Sequence, residues 1–175
     1  GQKMYGNEKL ALVREIIMPS VKGRIDHMAV NVKDKVVYVA ALGNNSVEVI
    51  DLNKGAAIQS IKGVEEPQGI AYLPEQNEIA VASGDNGDCV FFNASTFERA
   101  ATVHLAGDAD NIRYDALEKK MYVGYGNGGM VMIDPVAHKL IGDVKLPAHP
   151  ESFQLDKKNN KLYVNLPDDH SIAVI

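Results

Sequence analysis

Short apolar runs alternate with polar turn clusters along this chain, and the runs repeat at a fixed spacing. Val37-Tyr38-Val39-Ala40 recurs as Ile79-Ala80-Val81-Ala82, Met121-Tyr122-Val123-Gly124 and Leu162-Tyr163-Val164-Asn165, so residues 38, 80, 122 and 163 are spaced by 42, 42 and 41. A second run, Val49-Ile50-Asp51, returns as Phe91-Phe92-Asn93, Met132-Ile133-Asp134 and Val174-Ile175. A third precedes each unit: Met28-Ala29-Val30, Ile70-Ala71-Tyr72, Ile112-Arg113-Tyr114 and Phe153-Gln154-Leu155. The runs are rich in Val, Ile and Tyr and too short for helices, so they predict strands.

Turn chemistry separates them. Lys33-Asp34-Lys35, Glu75-Gln76-Asn77, Glu118-Lys119-Lys120 and the stretch 157–160 divide first strand from second. Gly43-Asn44-Asn45, Gly84-Asp85-Asn86-Gly87, Gly126-Asn127-Gly128-Gly129 and Pro167-Asp168-Asp169 divide second from third. Asn, Asp and Gly accept the positive φ that tight connections between twisted strands require. A fourth, more polar run closes each unit over 56–61, 100–105 and 139–146. Four short antiparallel strands per unit, repeated, define an all-β fold, a β-propeller of four-stranded antiparallel blades. WD40 blades are excluded because the chain has no Trp.

The expected organisation is an N-terminal extension over 1–9 and an orphan outer strand over 10–17. Blades follow at 24–61, 66–105, 108–146 and 149–175, the last lacking its outer strand. Leu10-Ala11-Leu12-Val13-Arg14-Glu15-Ile16-Ile17 reads as the strand that would complete the last blade. About four blades' worth of strands leaves three architectures open: a piece of a larger ring, a self-closed four-bladed ring, or half of an eight-bladed ring shared by two chains. The first is preferred, because closure with four blades demands unusually strong twist.

Composition narrows the partners. A net charge of −5 with no Lys/Arg block argues against nucleic acid, and no apolar run approaches a membrane span. The first residues lack the pattern of a signal peptide. Cys89 stands alone, which excludes an internal disulfide, a Cys-based zinc site and a C-x-x-C-H haem attachment.

In a propeller the loop entering the first strand of each blade sits at the channel mouth. Aligning the units on Met28, Ile70, Ile112 and Phe153 puts Asp26, Gln68, Asp110 and Glu151 at one position. His27, Gly69, Asn111 and Ser152 follow them, and Arg24, Glu66, Asp108 and His149 lie two residues before. Carboxylates and two histidines therefore converge on one rim. The candidate ligand or ion site is Asp26, His27, Gln68, Asp108, Asp110, Asn111, His149 and Glu151, where clustered oxygens and imidazoles suit a divalent cation. Read singly, the same residues serve as turn hydrogen bonders. His104, His138 and His170 read as solvated. Asp85-Asn86-Gly87-Asp88 reads as a hairpin turn, not a calcium loop, and Gly124 to Gly129 precedes a strand, not the helix of a phosphate cradle.

Val36-Val37-Tyr38-Val39-Ala40, with Asn44-Asn45-Ser46-Val47-Glu48-Val49-Ile50-Asp51 and Gly55, resembles the YVTN-type β-propeller repeat family, in its YncE-like group. The segments 23–30, 66–71 and 149–155 are similar to that group's blade entries. Blade 1 matches best; blade 3 at Gly126-Asn127-Gly128-Gly129 and blade 4 at Asn165-Leu166-Pro167 depart from the signature. The resemblance implies rings of about seven blades, an exported bacterial protein (periplasmic or secreted) and most often no assigned activity.

The function expected is a non-catalytic binding or interaction module for a small molecule or protein. No cofactor is expected, a divalent cation being the one candidate, and a further partner would be a second copy sharing blades or the missing remainder of the ring. The alternative is a lactonase-like, metal-dependent hydrolase with Asp26, Asp110, Asn111 and Glu151 around one cation. A copper or haem redox propeller would have only His27 and His149 as channel ligands.

Overall fold

A computed structural model describes residues 10–175, so the extension expected over 1–9 lies outside the described residues. Blade 1 consists of β1 (Met28–Asn31), β2 (Val36–Ala41), β3 (Ser46–Asp51) and β4 (Ala56–Ile61). Blade 2 is β5 (Pro67–Leu73), β6 (Glu78–Ser83), β7 (Asp88–Asn93) and β8 (Arg99–His104). Blade 3 is β9 (Ala109–Asp115), β10 (Lys120–Tyr125), β11 (Gly129–Asp134) and β12 (Lys139–Lys145). Blade 4 is β13 (Phe153–Asp156), β14 (Lys161–Leu166) and β15 (Ser171–Val174). Each blade is an antiparallel meander in sequence order, three of four strands and the last of three. The fold is a β-propeller arc.

The turns repeat as faithfully as the strands. Lys35, Asn77, Lys119 and Asn160 all have positive φ between first and second strands, where the chain must reverse within a few residues. At the turn after the third strand, Asp51 accepts from the N–H groups of Asn53 and Lys54 at 2.8 and 2.9 Å. Asn93 does the same for Ser95 and Thr96 at 2.8 and 2.9 Å, and Asp134 for Val136 and Ala137 at 2.9 and 3.0 Å. One short polar side chain thus closes each turn by capping two N–H groups.

Strand pleating sends alternate residues to opposite faces, and each face serves a different neighbour. Tyr38, Ala40, Val47 and Val49 of blade 1 pack on Ile70, Ile79, Val81, Val90 and Phe92 of blade 2. From the other face of blade 2, Ala80, Ala82, Cys89 and Phe91 pack on Ile112, Met121, Val123, Val131 and Ile133 of blade 3. Met130 and Tyr122 of blade 3 meet Phe153, Leu162 and Val164 of blade 4. Each large apolar side chain so buried contributes about 1.5–3 kcal/mol. Burial raises the pKa of the Cys89 thiol in this core, so it is no nucleophile.

One expectation is corrected, and one of the three open architectures is excluded. Residues 10–17 form no strand and do not complete blade 4. They lie beside blade 1, where the Arg14 guanidinium donates to the Leu52 carbonyl at 3.1 Å. Nor does the arc close on itself: among the described residues no strand pairing joins β13–β15 to β1–β4. Met28, Val30, Ile172 and Val174 on the two end blades stay exposed. Four blades turned by ordinary strand twist do not bring the ends together.

The inner strands β5 and β9 lie backbone against backbone at Gly69. A Cβ there would collide with the Asp110 carbonyl oxygen and sit 2.8 Å from the Ile112 nitrogen, both backbone atoms that cannot swing away. Gly69→Ala is expected to destabilise the protein by about 1–3 kcal/mol through overpacking, read as a lower midpoint in urea or thermal melts.

Candidate functional site at the channel mouth

The entry loops of blades 3 and 4 bring three potential ligands together. One ligand atom from each of Asp110, His149 and Glu151 lies within 4.8 Å of the others. Asp110 is the second residue of β9 and is only 8% exposed, while Glu151 is exposed and His149 lies between these extremes. The rim is shared further round the arc. Gln68 of blade 2 donates its amide to Asp108 at 3.0 Å, and His27 of blade 1 is close enough to pull on the charge of Asp110. These six residues, at equivalent or neighbouring repeat positions, are gathered because the blades share one axis.

His149 is held in a defined orientation. Its Nδ1 lies 2.5 Å from the Gly126 carbonyl oxygen and 3.7 Å from an Asp108 oxygen. A carbonyl only accepts, so Nδ1 carries the proton and donates. In the neutral ring Nε2 then bears the lone pair, and it faces Asp110 Oδ2 at 3.4 Å. Two lone-pair-bearing atoms pointed at each other in a half-buried setting repel unless a proton or another cation sits between them. A backbone carbonyl that fixes the tautomer is also how proteins orient metal-binding histidines.

The titration behaviour follows. Burial raises the pKa of Asp110 above the ordinary carboxylate value, and the Glu151 carboxylate adds to this against the pull of His149 and His27. For His149, burial opposes the charged ring, but the Gly126 carbonyl and the Asp110 and Asp108 carboxylates outweigh it and raise the pKa.

The remaining candidates take other roles. Asp26 lies 3.8 Å from Arg24 and 3.4 Å from His27 Nδ1, within its own blade. Asn111 is buried and accepts from Arg113 at 2.7 Å, and Arg113 stacks 5.6 Å above the Phe153 ring, so Asn111 braces the blade 3–blade 4 contact. Gly69 supplies close backbone approach and no ligand. His104 and His170 are exposed, but His138 is not simply solvated: it lies edge-on to Phe91 at 4.6 Å and bonds Glu78 at 2.8 Å. The residue that sequence reasoning missed is Gly126, whose contribution is a main-chain oxygen. Its positive φ of 59° is the one local trace, foreshadowed only by the Gly-rich turn.

Fold and rim together define the class: an arc of a β-propeller with an acidic, histidine-bearing channel mouth. Among solved structures the chain is similar to hydrazine synthase of Kuenenia stuttgartiensis, with a TM-score of 0.78 and 12% identity over 94% of this chain. The chain spans 48% of that chain's length, and at this identity the likeness concerns the fold alone. No family model and no curated protein matches. Among the described residues no helix is long and apolar enough to cross a membrane.

The His149 ring should therefore titrate above the ordinary imidazole value of about 6.5, and Asp110→Asn should lower its midpoint. The charged ring stabilises the fold at pH below the unfolded value, and this is lost as pH rises through the raised folded value. Side-chain NMR titration of His149 in the two proteins reads the shift directly. An unchanged midpoint in Asp110→Asn would contradict the assigned pairing.

Proposed function

We propose that this chain is a non-catalytic binding module that seats a divalent cation, or a ligand bearing a positive charge, on Asp110, His149 and Glu151 at the propeller mouth. The observation that carries it is the facing of the His149 Nε2 lone pair and the Asp110 carboxylate, with Nδ1 already engaged by Gly126. Mixed imidazole and carboxylate donors suit Zn²⁺, Mn²⁺ or Ni²⁺ better than Ca²⁺. Exchange of the intervening proton for a metal would make binding pH-dependent and proton-releasing. The module belongs, on this reading, to a YVTN-type, YncE-like propeller of an exported bacterial protein. The support is the Val36–Asp51 motif and the three-marker repeat.

A second reading is metal-dependent lactone hydrolysis. Three protein ligands from Asp110, His149 and Glu151 are the number that catalytic sites use when they keep a position for water.

Calorimetric titration of chelator-treated protein with Zn²⁺ and Mn²⁺ tests both readings. One ion per chain is expected, with a heat that varies with buffer ionisation and an affinity that rises with pH. His149→Ala and Asp110→Ala should each weaken it at least about tenfold. Absence of saturable binding by either ion would leave the mouth without a metal role, and a metal-loaded protein inert toward lactones would end the hydrolase reading.

A further inference from the structure

Blade 2 stands outside the group of Asp110, His149 and Glu151, yet Gln68, Gly69 and Gly84 of that blade are fitted to the loop that carries Asp108 and Asp110. Gly69 lets the inner strand of blade 2 press against the Asp110 main chain. Its neighbour Gln68 donates the side-chain amide to Asp108 Oδ1 at 3.0 Å. That amide occupies the space a Cβ on Gly84 would take: a methyl there would collide with Gln68 Nε2 and sit 3.1 Å from Gln68 Cδ. The Gln68 amide thus has an acceptor to hold it and a glycine that makes room for it.

Asp108 passes this constraint on. It is exposed and sits at a φ of 32°, a left-handed conformation that Asp accepts more readily than most side chains. Its carbonyl accepts from the Gly126 N–H at 3.0 Å, and the Gly126 carbonyl in turn accepts from His149 Nδ1 at 2.5 Å. Its carboxylate has one oxygen on Gln68 and the other 3.7 Å from the same Nδ1. Asp108 therefore backs Nδ1 twice, once through the Gly126 peptide and once by its charge.

The neutral His149 ring holds one proton, and acceptors on both sides compete for it. On Nδ1 it meets the Gly126 oxygen with the Asp108 carboxylate behind; on Nε2 it would meet Asp110 Oδ2 at 3.4 Å. The Asp108 side chain is 52% exposed, so without its Gln68 donor the carboxylate turns into water. A charged acceptor at Asp110 would then be opposed by a neutral carbonyl alone. We infer that Gln68 is a positioning residue for the channel mouth: by fixing Asp108 it keeps the proton of the neutral His149 ring on Nδ1 and leaves the Nε2 lone pair free for a ligand. The effect on binding rests on the cation reading proposed for this mouth; the place of the proton does not.

Ring-nitrogen NMR of metal-free protein carrying isotope-labelled histidine, at alkaline pH where the ring is neutral, is expected to show His149 protonated on Nδ1. Gln68→Met, which keeps the length and loses the donor, should move the shifts toward the Nε2-protonated pattern. Gly84→Ala should do the same, since its methyl displaces the Gln68 amide, and Gly84 lies outside the left-handed region, where alanine is tolerated. Both variants should weaken Zn²⁺ binding about tenfold with unchanged far-UV circular dichroism. In an Asp108→Gly background, where glycine accepts the positive φ, Gln68→Met should cost nothing further, because its effect runs through the carboxylate. A His149 proton that stays on Nδ1 in both single variants, or losses that simply add in the double variant, would overturn the inference. If the wild-type protein takes up no Zn²⁺, the cation reading falls, and the tautomer shift alone upholds or overturns the role of Gln68.

Discussion

A blade in this protein has two apolar faces and can bury neither alone. The pleat sends Tyr38, Val47 and Val49 one way and Val37, Val39 and Ile50 the other, so each sheet is stable only between neighbours. Everything else depends on that stacking. It sets the common axis, brings equivalent entry loops to one mouth, and makes Gly69 the residue where β5 and β9 touch backbone to backbone. It also explains why side chains identical in kind are core residues inside the arc and exposed residues at its ends.

The period was legible because stacking constrains every unit alike: the same face needs apolar side chains and the same turn needs a residue of positive φ. Asp51, Asn93 and Asp134 recur at the ends of their runs for that reason, since one local turn geometry selects one kind of residue. Residues 10–17 were misread because a short apolar run reports only that a strand could form. Whether a partner edge lies within reach is a property of the whole arc. His138 was misread for a related reason: its neighbour Phe91 belongs to another blade, a contact invisible to the spacing.

The rim was half legible. Repeat arithmetic places Asp110 and Glu151 together because both stand at one position of adjacent blades, and it adds His149 two residues upstream. It cannot separate them from Asn111, which strand pleating turns toward Arg113, or from Asp26, which has Arg24 as its own counter-charge. Nor can any side-chain pattern reveal the Gly126 carbonyl, yet that oxygen decides which imidazole nitrogen carries the proton. The chemistry of the mouth therefore turns on a main-chain atom in a turn that departs from the other blades' sequence.

Glu48 sharpens the difference between the two ends of the arc. It stands where the other blades have Val90, Val131 and Ala173, and its carboxylate is buried with the Ser46 and Ser60 hydroxyls donating to it at 2.5 and 2.7 Å. A buried carboxylate tolerates low polarity only when so partnered, and the pair of serines makes this patch of blade 1 unlike an ordinary stacking face. Residues 17–21 lie over that same patch, leaving Met28 and Val30 as the apolar part open to a neighbour. The three ligand atoms at the mouth, by contrast, come wholly from blades 3 and 4, which pack on each other within one chain. Ligand capture at Asp110, His149 and Glu151 is thus physically separable from whatever covers blade 1, and a chain that stays open retains the geometry on which binding depends.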